Sequence, residues 1–168
     1  FIGIDVAAGT GGAMSSNSTI SIANKRGQKV AEFALPDLFP DKLAKVAYAA
    51  GHFFKGPNGP ALLCHECNGP TGAQFSKAIV DLGYPRLFMD VVETTVGRKK
   101  SDRVGYWNQG DKRGNLYGGY RAALGDGFFS NPSRQALEEC KMYENTSGGG
   151  VEHVSAMKKK DVSGAGMN

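Results

Sequence analysis

The chain opens on an apolar run, Phe1-Ile2-Gly3-Ile4-Asp5-Val6, which is too short for a helix and gives way to a loop rich in Gly, Ser and Asn. A run of that kind predicts a buried strand over residues 1–6. Ile20 and Ile22 then alternate with polar neighbours across residues 19–23, the pattern of a half-buried antiparallel strand, and a third strand is expected over residues 29–33 after the turn at Lys25-Arg26-Gly27. Beyond Pro36 and Pro40 the period changes: Leu43, Val46, Ala47, Ala50 and Phe54 share one helical face, with Asp41 as the expected N-cap and Gly56-Pro57 as the stop. The run Ala61-Leu62-Leu63-Cys64-His65-Glu66 predicts another buried strand, and Phe75, Ala78, Ile79 and Leu82 a helix with Gly83 at C′. Leu87-Phe88-Met89 centres a strand over residues 86–90, after which residues 97–113 turn polar and read as a long loop or hairpin. A helix over residues 111–124, weakened by Gly114, Gly118 and Gly119, comes next, and then an extended piece at Phe128-Phe129. A helix capped by Asn131 or Ser133 and running to Met142, and a strand over residues 151–155, complete the pattern.

A three-stranded meander followed by helix, strand, helix and strand implies an α/β fold with a mixed sheet, antiparallel in the meander and parallel where helices make the crossovers. A length of 168 residues, 40% of them hydrophobic, fits a single domain with its own core. No apolar run approaches the roughly 20 residues that cross a bilayer. The first residues lack the basic start and cleavage site of a signal peptide, so a soluble chain that meets no membrane is expected. The chain begins inside a strand, without Met or leader, which suggests a piece of a longer polypeptide. A net charge of +4 favours a polyanionic partner. The three cysteines cannot all pair within the chain, and reduced thiols in a cytosolic setting are expected. Cys64-His65-Glu66-Cys67 matches C-x-x-C, but redox motifs of that form open a helix whereas this one ends an apolar strand, and a zinc site needs a second ligand pair.

Asp5 and Glu66 each close an apolar run and precede a Gly, Asn or Pro cluster, which sets both acids where a buried strand meets solvent. Phosphodiester cleavage needs a water made nucleophilic near neutral pH and a stabilised leaving alkoxide, and two divalent ions about 3.5–4 Å apart supply both. Mg²⁺ and Mn²⁺ take hard oxygen ligands, so carboxylates held rigidly on adjacent strand ends suit them. Asp5 and Glu66 are the expected catalytic and metal-binding residues, with Mg²⁺ or Mn²⁺ as cofactor. The plainer alternatives are an Asp5 that caps the turn at Ala7-Ala8-Gly9 and a Glu66 paired with a neighbouring Lys or Arg.

The polar segment mixes Arg98, Lys99, Lys100, Arg103, Lys112 and Arg113 with Tyr106 and Trp107. Cations for phosphates and aromatics for stacking suit nucleic acid, so DNA contact is expected from Arg98, Lys99, Lys100, Arg103, Trp107, Lys112 and Arg113. The alternative is a solvated loop whose aromatics fold onto the core. Lys158-Lys159-Lys160 could line the same groove. On a regular strand His65 points away from Glu66, as a core or supporting histidine does, and His52 and His153 carry weaker signals. Gly9-Thr10-Gly11-Gly12 fits neither G-x-x-x-x-G-K-[ST] nor a G-x-G-x-x-G passage from strand to helix.

The element order resembles the ribonuclease H-like architecture, in which acids from the first strand and from the strand after the first long helix converge on one edge; Asp5 and Glu66 occupy those places. Actin-like sugar kinases share that core and also place an Asp and glycines after strand one. An ATP-dependent phosphotransferase is therefore an alternative, although no second phosphate loop or adenosine-site Gly-Gly motif follows. More closely, Phe1-Ile2-Gly3-Ile4-Asp5-Val6-Ala7-Ala8-Gly9, His65-Glu66-Cys67-Asn68-Gly69-Pro70-Thr71-Gly72 and Phe128-Phe129-Ser130-Asn131-Pro132-Ser133, leading to Leu137-Glu138-Glu139, are similar in order and spacing to the C-terminal nuclease domain of the large terminase subunit of tailed bacteriophages. That resemblance implies a metal-dependent endonuclease that cuts concatemeric double-stranded phage DNA during genome packaging in the host cell cytoplasm. It implies an ATPase motor domain, a small terminase subunit and a portal protein as partners. It also implies a third acid, preceded by His and Gly, beyond Asn168; within the chain, Asp90 and Asp161 are the substitutes. A chain lacking that acid has a further alternative, a non-catalytic DNA-binding module.

Overall fold

A computed structural model describes residues 1–11, 16–94, 97–109, 111–146 and 151–154. They group into two units, Phe1–Lys25 with Lys29–Asn108, and Arg26–Gln28 with Gln109–Asn168. In the first unit β1 (Ile2–Asp5), β2 (Ser18–Ala23), β3 (Lys29–Leu35) and β4 (Leu63–His65) form a mixed sheet in the order β3-β2-β1-β4. The meander pairs antiparallel, Ile2 opposite Ile22 and Ile4 opposite Ile20, whereas β4 runs parallel to β1 with Ile2 beside Leu63 and Ile4 beside His65. Because side chains alternate along a strand, Ile2, Ile4, Ile20, Ile22 and Leu63 all fall on one face. That face is buried with Leu43, Ala44 and Ala47 of α1 (Pro40–Phe53) and Phe75 and Ile79 of α2 (Gly69–Asp81). The expected mixed α/β sheet is present.

Four details of the first unit differ from the sequence reading. Asp41 does not cap α1: Pro40 starts the helix, where its fixed φ suits N1 and its missing N–H costs nothing, so the cap falls on Phe39 and Asp41 lies inside the first turn. There its charge still complements the helix dipole. Phe54 is the C-cap and is 36% exposed rather than part of the buried face. The parallel strand expected over residues 86–90 contracts to one bridge between Leu87 and Leu63. Beyond it the chain departs into an antiparallel hairpin, β5 (Met89–Thr94) with β6 (Gly97–Val104). Of the loop or hairpin expected over residues 97–113, the hairpin forms, and Gly105, Tyr106 and Trp107 then return beside β4. Tyr106 N–H donates to His65 O at 2.7 Å and Cys67 N–H to Tyr106 O at 3.0 Å. The charged sequence of β6 hides its strand character, since a two-stranded ribbon need not bury a face.

In the second unit α3 (Asp111–Gly125) and α4 (Arg134–Cys140) are followed by an antiparallel pair, β7 (Tyr143–Asn145) with β8 (Val151–His153). Ser133 caps α4, its Oγ accepting from Ala136 N–H at 3.2 Å, while Asn131 Oδ1 holds Ser133 N–H at 3.0 Å one step upstream. The helix ends at Cys140, short of Met142, and β7 was not expected. Every residue of this unit whose burial is described is at least partly exposed. Aromatic contacts supply the packing instead: Tyr117 and His153 both meet Tyr143, and Tyr120 meets Phe129. Among the described residues no helix is long and apolar enough to cross a membrane.

Candidate functional site

Asp5 and Glu66 stand at the carboxyl ends of adjacent parallel strands. Ile4 pairs with His65, and Glu66 N–H donates to Ile4 O at 3.1 Å, which carries the register one residue past β4. Neighbouring strands lie about 4.8 Å apart and equivalent residues share a face. Ile4 and His65 face the helices, so Asp5 and Glu66 both face the opposite, open side. The sheet alone therefore brings the two acids together.

Their surroundings differ. Asp5 is exposed at the strand end, yet partial burial of its carboxyl raises its pKa above the ordinary aspartate value, against a lowering hydrogen bond from Val6 N–H. Ser18, wholly buried, accepts from Ala7 N–H at 3.0 Å and ties down the backbone just after Asp5. Glu66 is partly buried, and its Oε2 lies 3.4 Å from the side-chain amide nitrogen of Asn108. Asn108 is itself clasped by Asn68, whose Oδ1 accepts from Asn108 N–H at 2.7 Å and whose Nδ2 donates to Asn108 O at 2.9 Å.

Below Glu66, α2 starts so close to the chain that Gly72 has no room for a side chain. A Cβ there would stand 2.6 Å from Cys67 C and 2.8 Å from Glu66 O. Helix propensity alone favours Ala over Gly by about 1 kcal/mol. Here overpacking wins, and Gly72→Ala is expected to destabilise the protein by about 1–3 kcal/mol in urea unfolding. A neutral or stabilising result would refute the close approach of α2 to Glu66.

His65 points into the core as its strand position requires: it is 1% exposed, stacks on Phe75 and lies 2.6 Å from Ser76 Oγ through Nε2. Burial pulls its pKa down to about 4. Cys64 and Cys67 are free thiols with raised pKa values, Cys64 pushed up to about 11, chiefly by burial and further by the Asp90 carboxylate. A redox C-x-x-C needs a stabilised thiolate, the reverse of this environment.

Asp90 is buried at 8% exposure, with Val91 N–H on Oδ1 at 2.8 Å and Trp107 N–H on Oδ2 at 3.3 Å. Both oxygens serve the backbone where the hairpin rejoins the sheet. Asp161, with Lys158 to Lys160, lies outside the described residues, as does Gly12. Gly9 adopts φ +68, and a Cβ there would meet Leu38 C at 2.4 Å; Gly11 N–H donates to Pro36 O at 3.1 Å. These two glycines serve the packing of the loop on the segment before α1, a use that needs no phosphate.

Of the proposed DNA contacts, Arg103 stacks over the Trp107 ring at 4.8 Å, and both line a groove of about 600 Å³ along α2 with Ala73, Lys77 and Val80. Lys99 is exposed on β6, while the side chains of Arg98 and Lys100 lie outside the description. Lys112 and Arg113 belong to α3 in the second unit.

Asp5 and Glu66 are hard oxygen donors a strand spacing apart, a set that fits Mg²⁺ or Mn²⁺. Among the described residues no group of three His, Cys, Asp or Glu gathers around one point. The sequence reading missed Asn68 and Asn108. Asn68 stood inside a noted motif, but 40 residues separate it from its partner and no periodicity links them. Comparisons with protein-family models, curated proteins and solved structures found no significant match to this chain.

Proposed function

We propose that this chain is a metal-dependent endodeoxyribonuclease domain of ribonuclease H-like architecture, similar to the C-terminal nuclease domain of phage large terminase subunits, and that it hydrolyses double-stranded DNA. The observation that carries this reading is the juxtaposition of Asp5 and Glu66 on the open face of two parallel strand ends. Mg²⁺ or Mn²⁺ bound there supplies a nucleophilic water and stabilisation of the leaving oxygen. Asp5 and Glu66 hold the oxygen donors, the Ser18 and Ala7 contact steadies the first strand end, and the amide of Asn108 orients Glu66. Arg103 and Trp107 contact the DNA backbone and bases. In this role the substrate is concatemeric phage DNA in the host cell cytoplasm, with the motor domain, small subunit and portal protein as partners.

The test is plasmid cleavage with Mn²⁺ or Mg²⁺, abolished by EDTA and by Asp5→Ala or Glu66→Ala; cleavage surviving in both variants sinks the assignment. DNA affinity offers a second check by fluorescence anisotropy across a salt series. Arg103→Ala should flatten the slope of log K against log salt by about 0.9, the share of one phosphate contact. Trp107→Ala should weaken binding with the slope unchanged, as loss of an uncharged contact does. Unchanged affinity in both variants excludes this surface.

A second reading, a non-catalytic DNA-binding module, draws on Asp90, both of whose oxygens accept backbone N–H groups. That reading predicts salt-dependent DNA binding that Asp5→Asn leaves unaltered.

A further inference from the structure

Asn108 Oδ1 is fully buried yet has no hydrogen-bond partner, one of two such side-chain atoms among the described residues. The other half of the same amide, Nδ2, faces Glu66 Oε2 at 3.4 Å, near the long limit of a hydrogen bond. A buried acceptor left without a partner is unfavourable by about 1–3 kcal/mol, so the arrangement persists only because something else fixes it. That something is Asn68, whose side chain engages both the N–H and the C=O of Asn108 and locks its backbone beside the carboxylate. Turning the amide about its last side-chain bond breaks only that one long hydrogen bond.

We propose that Asn108 is a third oxygen ligand of the metal site, its carbonyl turning onto an ion held by Asp5 and Glu66. The inference rests on the metal-dependent reading above. The nitrogen and oxygen of a planar amide sit about 2.2 Å apart and trade places when the group turns by half a revolution. Such a turn carries Oδ1 to the position now held by Nδ2, 3.4 Å from Glu66 Oε2. An octahedral ion with ligands at about 2.1 Å holds adjacent oxygens about 3 Å apart, so the existing separation needs only a small adjustment. Without a cation, two oxygens at that distance repel, and the amide presents its N–H₂ to the carboxylate. With a cation between them the preference reverses: the orphaned carbonyl gains the ion as its partner, a gain that must outweigh moving Nδ2 into the buried position that Oδ1 leaves. A neutral donor also adds a ligand without a third negative charge at the strand ends. Asn68 is then a positioning residue, acting through Asn108 and touching no ion.

Calorimetric titration of the metal-free protein with MnCl₂ alone tests this, with metal-free melting temperatures as the check on folding. Wild type should bind Mn²⁺ and Asp5→Asn should not. Asn108→Ala should weaken binding on the order of ten- to a hundredfold, and Asn108→Asp should bind at least as tightly as wild type. Weaker binding by Asn108→Asp overturns the ligand role, since a carboxylate at a ligand position should hold the ion at least as well as an amide. If Asn108→Ala binds Mn²⁺ like wild type while Asp5→Asn fails, the ligand role is overturned and the acid pair stands. If wild type itself shows no Mn²⁺ binding, the metal-dependent reading falls and this inference with it. Should the Ala variant not fold, the near-isosteric Asn108→Leu decides: weaker binding supports the ligand, and binding like wild type overturns it.

Discussion

Asp5→Asn is expected to abolish Mn²⁺-dependent cleavage of plasmid DNA while raising the metal-free melting temperature at neutral pH. The loss of activity follows from the position of Asp5 beside Glu66, where an amide cannot replace a carboxylate as an anionic ligand. Metal-ion catalysis supplies several kcal/mol of transition-state stabilisation, and a thousandfold drop corresponds to about 4 kcal/mol. The gain in stability follows from the pKa. Burial raises the folded-state value of Asp5 above the ordinary 3.8, so the folded protein binds this proton more readily than the unfolded chain. Stability from this group is present at low pH and is lost as pH rises through the folded pKa, which leaves an ionised Asp5 unfavourable at pH 7. Asparagine removes that charge and can still accept from Val6 N–H. A mere turn cap would leave the melting temperature nearly unchanged, since Asn caps a turn about as well as Asp. Mn²⁺ should raise the melting temperature of wild type and leave that of Asp5→Asn unmoved. A variant that melts lower than wild type at pH 7, or that still cleaves, contradicts the argument.

The same residue shows how much of the site was legible in the sequence. Strand periodicity sets Ile2 and Ile4 inward and Asp5 outward, and applied to Leu63, His65 and Glu66 it brings the second acid to the same face. Phe75, Ile79 and the C′ residue Gly83, at φ +69, were readable for the same local reasons. What escaped depends on partners distant in the chain. Strand β6 is defined by hydrogen bonds to β5 rather than by an apolar face, and its Arg and Lys residues give no alternation to detect. The return of Gly105 to Trp107 beside β4 displaces the parallel strand that Leu87-Phe88-Met89 promised. A Cβ on Gly105 would lie 2.8 Å from His65 Nε2, so this position depends on glycine at φ +98. The clasp of Asn68 on Asn108 exists only because that return happens, and through it Glu66 acquires its amide neighbour.

Acidification from pH 6.5 to 4 is expected to remove on the order of 3 kcal/mol of folding stability through His65 alone. Ser76 Oγ donates to Gly72 O at 2.8 Å, which commits its one proton, so the 2.6 Å contact with His65 has Nε2–H as donor. Nδ1 then carries a bare lone pair with no partner, inside a core formed with Phe75. Protonation would place a second N–H there without an acceptor and a full charge out of reach of water, and this burial lowers the folded pKa to about 4 from 6.5. Between those values the unfolded chain binds more protons than the folded protein, so stability falls as pH falls, by up to about 1.4 kcal/mol per pH unit, and the loss is complete below pH 4. Urea unfolding at several pH values, compared between wild type and His65→Gln, isolates this slope from the carboxylates that titrate in the same range. Parallel pH profiles for the two proteins, or a ring titration near 6.5 by NMR, would rule the account out. The consequence reaches the acid pair, because His65 and Glu66 are consecutive residues on opposite faces of one short strand. Loosening β4 from the core side releases Glu66 on the open side, so Mn²⁺ binding should weaken over the same pH interval in wild type, more steeply than in His65→Gln.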